Sequence, residues 1–195
     1  MKKLKQLIIA ATLSAGIILL PTAVSAESYT VKPGDTLWEI SNAFGVSLLG
    51  IQAANNHEGS LIYPNQTLTI PKSLSSSEKD LMARLVHAEA KGEPYEGKVA
   101  VATVILNRVN HQEFPNTVKE VIYEQVNGHY AFTPIKNGAI NNAADAESIR
   151  AVNEALAFSG QGTGSLYFYN PNTAQSDWIF SRQVTVTIGN HRFAK

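Results

Sequence analysis

The stretch "ARLVHAEAKGEPYEG", residues 83–97, decides how this chain is read. From just upstream of it, Leu81, Met82, Leu85 and Val86 recur at helical spacing until Gly92 and Pro94 stop the helix. At about 100° per residue these four side chains span an arc of about 140°, and Glu89 falls near its middle. A carboxylate therefore points where the core points. An ionised carboxylate away from water is costly unless paired, and one in a last helical turn also meets the negative end of the helix dipole. Both effects raise its pKa, which suits a general acid that must hold a proton near neutral pH and then deliver it. The spacing alone leaves a second reading open, in which Glu89 is a frayed helix-end residue or a partner of Arg84 or Arg108.

Working outward, Ser77 and Asp80 form a near capping box at the start of this helix. Downstream, "YEGKVAVATVILNRVN" is apolar on nearly every side and predicts a central, buried helix. Glu93 and Glu96 lie at its start, where anions cap and stabilise, and Asn107 and Arg108 at its far end. "NTVKEVIYEQV" and "AESIRAVNEALAFSG" read as further helices, "SLYFYNP" and "RQVTVTIGNHRF" as strands that pair, with Val184, Val186 and Ile188 on one face. Glu93, Asn107, Tyr167, Tyr169, Asn170 and His191 are candidates for a substrate groove, the last four because they lie at strand ends.

The N-terminus is of another kind. Lys2, Lys3 and Lys5 precede an apolar run, then Pro21 and small residues at Val24 and Ala26, the order of a secretory signal peptide over residues 1–26 cut after Ala26. Its removal leaves 13 basic against 16 acidic residues, a net charge of −3, so nucleic acid is not an expected partner. No stable membrane span is expected after cleavage, and the product is expected to be a secreted monomer. The chain has no cysteine, which excludes disulfide staples, thiolate zinc sites and cysteine nucleophiles.

Residues 27–72 carry their own pattern. "SYTVKPGDTLWEISNAFGVS" gives a short strand, a turn at Pro33-Gly34-Asp35 and a helix with Leu37, Ile40, Ala43 and Phe44 on one face, capped by Asp35 or Thr36. A second short helix around "LLGIQAANN" leads to a turn at Tyr63-Pro64-Asn65-Gln66 and a strand in which Leu68 and Ile70 alternate. "PKSLSSSEKD" reads as linker running into helix, with residues 73–77 as the join.

The elements "YTVKPGDTLWEIS", "FGVS", "NN" and "LIYPNQTLTIP" resemble a LysM module over its full length. The resemblance implies binding of N-acetylglucosamine-containing glycan at Gly34, Asp35 and Thr36 and at Ile62, Tyr63, Pro64 and Asn65. Residues 78–195, through "EAKGEPYEG", "FPNTVKEVIYE", "FTPIKNGAI", "SLYFYNP" and "IGNHRF", resemble SleB/CwlJ-type cell-wall hydrolases, the spore-cortex-lytic family. That resemblance implies an α+β chain: a βααβ LysM module joined to a mainly helical domain similar to lysozymes and lytic transglycosylases, with a small antiparallel sheet. It also implies that Glu89 is the catalytic acid/base, that the partner is the peptidoglycan glycan strand, and that the protein works at the cell wall or spore cortex.

No cofactor is expected. The five histidines, His57, His87, His111, His129 and His191, form no close ligand pair, so no metal site is expected either. There is no G-x-S-x-G elbow for serine hydrolysis, and the "GQGTG" turn lacks the lysine and spacing of a phosphate loop. Two rivals to glycan cleavage stay open: an N-acetylmuramoyl-L-alanine amidase, and a LysM glycan-binding wall protein whose second half has lost catalysis. A LysM module joined to an enzyme also predicts tethering, in which a weak glycan site raises the local substrate concentration across a short linker.

Overall fold

A computed structural model describes residues 27–195, so the signal-peptide expectation for residues 1–26 lies outside the described residues. The first module is built from β1 (Glu27–Thr30), α1 (Leu37–Phe44), α2 (Leu48–Ala54) and β2 (Thr67–Ile70), with β1 and β2 antiparallel and Tyr29 opposite Leu68. Thr36 caps α1 in a full capping box with Glu39, and Gly45 ends it at φ 59°, a left-handed turn that glycine adopts without strain. Val31, Leu37, Ile40, Val46, Ile51, Leu68 and Ile70 form the core. The buried α1 face differs from the expected one: Ala43 is exposed and Ser41 is buried instead, its hydroxyl satisfied by donation to the Leu37 carbonyl at 2.6 Å.

The second module starts with α3 (Ser76–Glu89) and α4 (Tyr95–Val109). The capping box of α3 is Ser75 with Glu78, two residues before the Ser77/Asp80 frame. Both frames share the spacing, but glutamate has the extra methylene needed to reach back to the cap N–H. Consequently residues 73–77 are not a free join: Ser75 and Ser76 already belong to the helix start.

There follow α5 (Val118–Ile122), a hairpin of β3 (Gln125–Val126) and β4 (His129–Tyr130), α6 (Thr133–Asn137), a 3-10 turn at Ala139–Asn141, and α7 (Ala146–Ala157). The chain closes with β5 (Tyr167–Tyr169), α8 (Asp177–Phe180), β6 (Val184–Ile188) and β7 (His191–Ala194). As its apolar circumference predicts, α4 is central: Val101, Ala102, Val104 and Ile105 are fully buried among α3, α5 and α7. Among the described residues no helix is long and apolar enough to cross a membrane.

The sheet has the antiparallel order β5-β7-β6, and Phe193 of β7 is the side chain it drives into the core. Here the expected face is overturned. Val184 and Val186 point outward and only Ile188 packs against the core. The ladder is irregular between Val184 and Val186, and Thr185 takes the inner side, its hydroxyl 2.7 Å from that of Ser165 and donating to the Phe193 carbonyl at 3.1 Å.

Candidate active site

Glu89 is the last residue of α3, and the N–H of Ala90 closes the helix on the Val86 carbonyl at 2.8 Å. The chain then turns through Gly92 at φ 85° into Pro94, the N-cap of α4. Because Leu81, Met82, Leu85 and Val86 are all buried, the arc they define carries Glu89 inward as its spacing predicts. Burial lifts its carboxyl to about 7, opposed by the positive charge of Arg108.

Arg108 sits in the last turn of α4 and is only 7% exposed. Its Nε donates to the Leu166 carbonyl at 2.7 Å, and its guanidinium carbon lies 5.0, 5.1 and 5.5 Å from the ring centres of Phe114, Phe132 and Tyr167. Burial disfavours its charge while Glu124, Tyr167 and Glu89 favour it, but a guanidinium stays protonated throughout. The aromatic cage therefore holds a fixed cation beside a carboxyl whose pKa burial raises.

Arg108 also opens onto a groove of about 490 Å³ walled by Phe114, Glu124, Tyr167, Phe168 and Trp178. Trp178 is 50% exposed and stands edge-on to Tyr167 with centroids 5.0 Å apart, an apolar step of the kind sugar rings lie against. Glu89 does not itself line this groove; Arg108 lies between them, within Coulombic reach of Glu89. A larger depression, about 730 Å³, lies over the loop after α4 and includes neither Glu89 nor Arg108.

Of the expected groove residues, Tyr167 alone lines this wall. Tyr169 is buried at 8% exposure and packs edge-on against Phe180 at 5.5 Å. Glu93 is committed to the β6–β7 turn, accepting from the Asn190 N–H at 2.9 Å and its Nδ2 at 3.0 Å. Asn107 donates Nδ2 to the Ser165 carbonyl at 2.9 Å, and Asn170 accepts from the Asn172 N–H at 2.9 Å, so both shape backbone. His191 is buried against Phe168 and Phe193 with Nδ1 unpartnered, and burial depresses its pKa. The histidine of "HAEA", His87, pairs through Nδ1 with Asp145, the cap of α7, at 3.2 Å.

One part of the site, Trp178, carried no expectation, and for a second, Arg108, the sequence leaves a pairing with Glu89 open. Trp178, one of two tryptophans, lies in "SDWIF" between Ser176 and Ser181, a stretch with no periodicity to say which side it faces. Arg108 closes a helix whose other cation, Lys98, lies ten residues earlier, and its role is not decidable without its partners.

In the first module, Val31 and Gln66 exchange a backbone bond at 2.9 Å and the Asn65 N–H donates to the Val31 carbonyl at 2.8 Å, so the Gly34 and Tyr63 loops become neighbours. Asp35 spends its carboxylate on the Tyr29 hydroxyl at 2.7 Å and the Lys32 N–H at 2.8 Å, which hold its pKa low, and Thr36 caps α1. Ile62 packs on the module core, while Tyr63, Pro64 and Asn65 are exposed.

Residues 92–194 match the family model described as Cell Wall Hydrolase, a span that begins three residues after Glu89, and residues 29–71 match the LysM domain. The chain belongs to the cell wall hydrolase family. Among the similar proteins of this family is a spore cortex-lytic enzyme of Halalkalibacterium halodurans, 44% identical over 124 residues that make up 64% of this chain and 36% of that protein. Another, from Oceanobacillus iheyensis, is 40% identical over 79% of this chain and 54% of its own length, so the chain spans about half or less of the length of these relatives. The catalytic domain of the germination-specific lytic transglycosylase SleB from Bacillus anthracis superposes with a TM-score of 0.57 at 41% identity, covering 65% of this chain and all of that one. The catalytic domain of the Bacillus cereus SleB protein gives the same TM-score at 42% identity, over 64% of this chain and 94% of that one. This cell wall hydrolase therefore combines helices with small antiparallel sheets in a LysM module and a SleB-like domain.

Proposed function

We propose that this cell wall hydrolase cleaves the β-1,4 bond between N-acetylmuramic acid and N-acetylglucosamine in peptidoglycan, as a lytic transglycosylase with Glu89 as its single acid/base, and that it acts in lysis of cell wall or spore cortex after export. One observation carries the reading: a carboxyl raised to about 7 by burial, at a helix end beside a caged arginine and an aromatic groove. The names of the similar proteins support the substrate class.

In the first step the Glu89 proton goes to the glycosidic oxygen, the bond to the muramyl C1 breaks, and positive charge develops on the sugar ring. In the second the muramyl 6-hydroxyl attacks C1 and gives its proton to the Glu89 carboxylate, leaving a 1,6-anhydro end and restoring the acid. Arg108 is the fixed cation that faces the carboxylate during its charged interval. The LysM loops around Gly34 and Tyr63 hold the glycan.

Digestion of purified peptidoglycan by the wild type and by Glu89→Gln, with products read by mass spectrometry, tests this. Anhydromuramic ends that vanish in the variant are the expected result. Reducing ends would replace transglycosylation by hydrolysis and turn attention to the groove acids Glu113 and Glu124. Free stem peptides that persist in the variant would make the protein an amidase.

A further inference from the structure

The LysM module does not hang from a free tether. Only five residues separate the end of β2 at Ile70 from the start of α3 at Ser76. Two of these are fixed: Ser73 donates to the Gly45 carbonyl at 2.6 Å and Ser75 caps α3. The join is therefore short and partly hydrogen-bonded to the modules it connects.

The contacts on either side are of three kinds. Trp38 of α1 packs on Phe158, the residue that closes α7, with ring centres 4.4 Å apart. Ser47, the cap of α2, donates to the Ser159 carbonyl at 2.8 Å. Lys79 of α3 donates Nζ to the Phe44 carbonyl at 3.3 Å, placing an ammonium at the negative end of α1. A Cβ on Gly45 would meet that Nζ at 2.5 Å, so a side chain there would push the Lys79 ammonium aside as well as strain the left-handed backbone that ends α1.

The exposed glycan-loop residues Tyr63, Pro64 and Asn65 take no part in these contacts, so the seam leaves them open. A helix joins the seam to the acid. From Lys79 to Glu89 is ten residues of α3, about 15 Å at 1.5 Å per residue.

We propose that the two modules move as one rigid body, in which the LysM groove sets, through α3, the register at which a bound glycan strand meets Glu89. A flexible tether raises only the local concentration of substrate. A docked module also fixes where along the strand the cut falls, so LysM becomes a determinant of product length. The register rests on the glycan-cleaving reading above; the docking does not.

The test uses the full chain and a variant with a ten-residue Gly-Ser insertion after Lys72 combined with Phe158→Ala, which alters neither module's core. Nitrogen-15 relaxation should give LysM amides the same rotational correlation time as the second module in the wild type and a shorter one in the variant. On long glycan strands the wild type should give a narrow product-length distribution. The variant should give a broad one at an unchanged rate on short soluble fragments. If the variant still tumbles as one body, Trp38→Ala supplies the undocked comparison. Independent tumbling in the wild type overturns the proposal, as does an unchanged product distribution once undocking is verified. A chain that tumbles as one body but cuts no glycan overturns the cleavage reading and the register with it, while the docking stands on the relaxation result.

Discussion

The two modules solve the same burial problem with very different means. The LysM half closes over seven buried side chains and has no cysteine for a staple, whereas the second half gathers twenty around α4. A unit of that smaller size hides too little apolar surface to be more than marginally stable alone. It compensates with a capping box on α1, an Asn55 side chain that both donates to and accepts from Thr69 of β2 at 2.8 Å, and the seam on α7. The larger core holds a guanidinium at 7% exposure and half-buries a carboxyl. A small module thus spends its stability on holding shape, and a large one can spend some on a reactive group.

The strongest way to break that contrast is Glu89→Gln. Glycan cleavage should fall by about 10²- to 10⁴-fold, the usual worth of a general acid, in a product assay on peptidoglycan. The same change should stabilise the fold at high pH. Glu89 has a folded pKa of about 7 against an ordinary value of 4.5, so the folded state binds the extra proton and stability falls as pH rises between those values. Thermal melts should therefore show Glu89→Gln more stable than wild type by roughly 3 kcal/mol at about pH 8, and indistinguishable near pH 4. A variant no more stable at pH 8 would mean that the core bears no such cost.

Core truncation comes next. Leu85→Ala in the large core should cost about 2–5 kcal/mol in global unfolding by denaturant. Ile51→Ala in the small core removes as much apolar contact from a unit with far less, so hydrogen exchange should show the LysM amides opening while those of α4 stay protected. Equal loss of protection in both modules would show that the seam fuses them into one cooperative unit.

Proton concentration alone gives a milder effect. Raising the pH from about 6 to about 8 should lower the rate on short glycan fragments roughly tenfold as Glu89, raised by burial to about 7, loses its proton. The smallest structural change is Tyr63→Ala. The ring is 62% exposed, so stability should move by no more than about 0.5 kcal/mol, while retention on insoluble peptidoglycan should weaken.

The placement of Glu89 was legible because its signal is local. Glu89 follows from four apolar residues within eight positions, and the strand-helix-helix-strand order of the first module follows from its turns and caps. The errors are also local in origin. Val184, Val186 and Ile188 alternate as an inward face should, but an irregular ladder and the Thr185–Ser165 contact turn two of them outward. Tyr169 and Tyr167 are two residues apart on β5, yet one is buried against Phe180 and the other lines the groove. Asn107 and Glu93 looked available because polar residues show no partners until the chain folds; one holds Ser165 and the other Asn190.

By itself the sequence determined the helix that delivers Glu89, the separate pattern of residues 27–72 and the absence of thiol chemistry, because periodicity, caps and composition act over a few residues. Only the tertiary structure decided that Arg108 is caged by Phe114, Phe132 and Tyr167, that Trp178 stands beside Tyr167, and that Trp38 meets Phe158 across the seam. Contacts between residues so far apart along the chain leave no periodic trace in it, since what selects them is the closing of one packed surface on another.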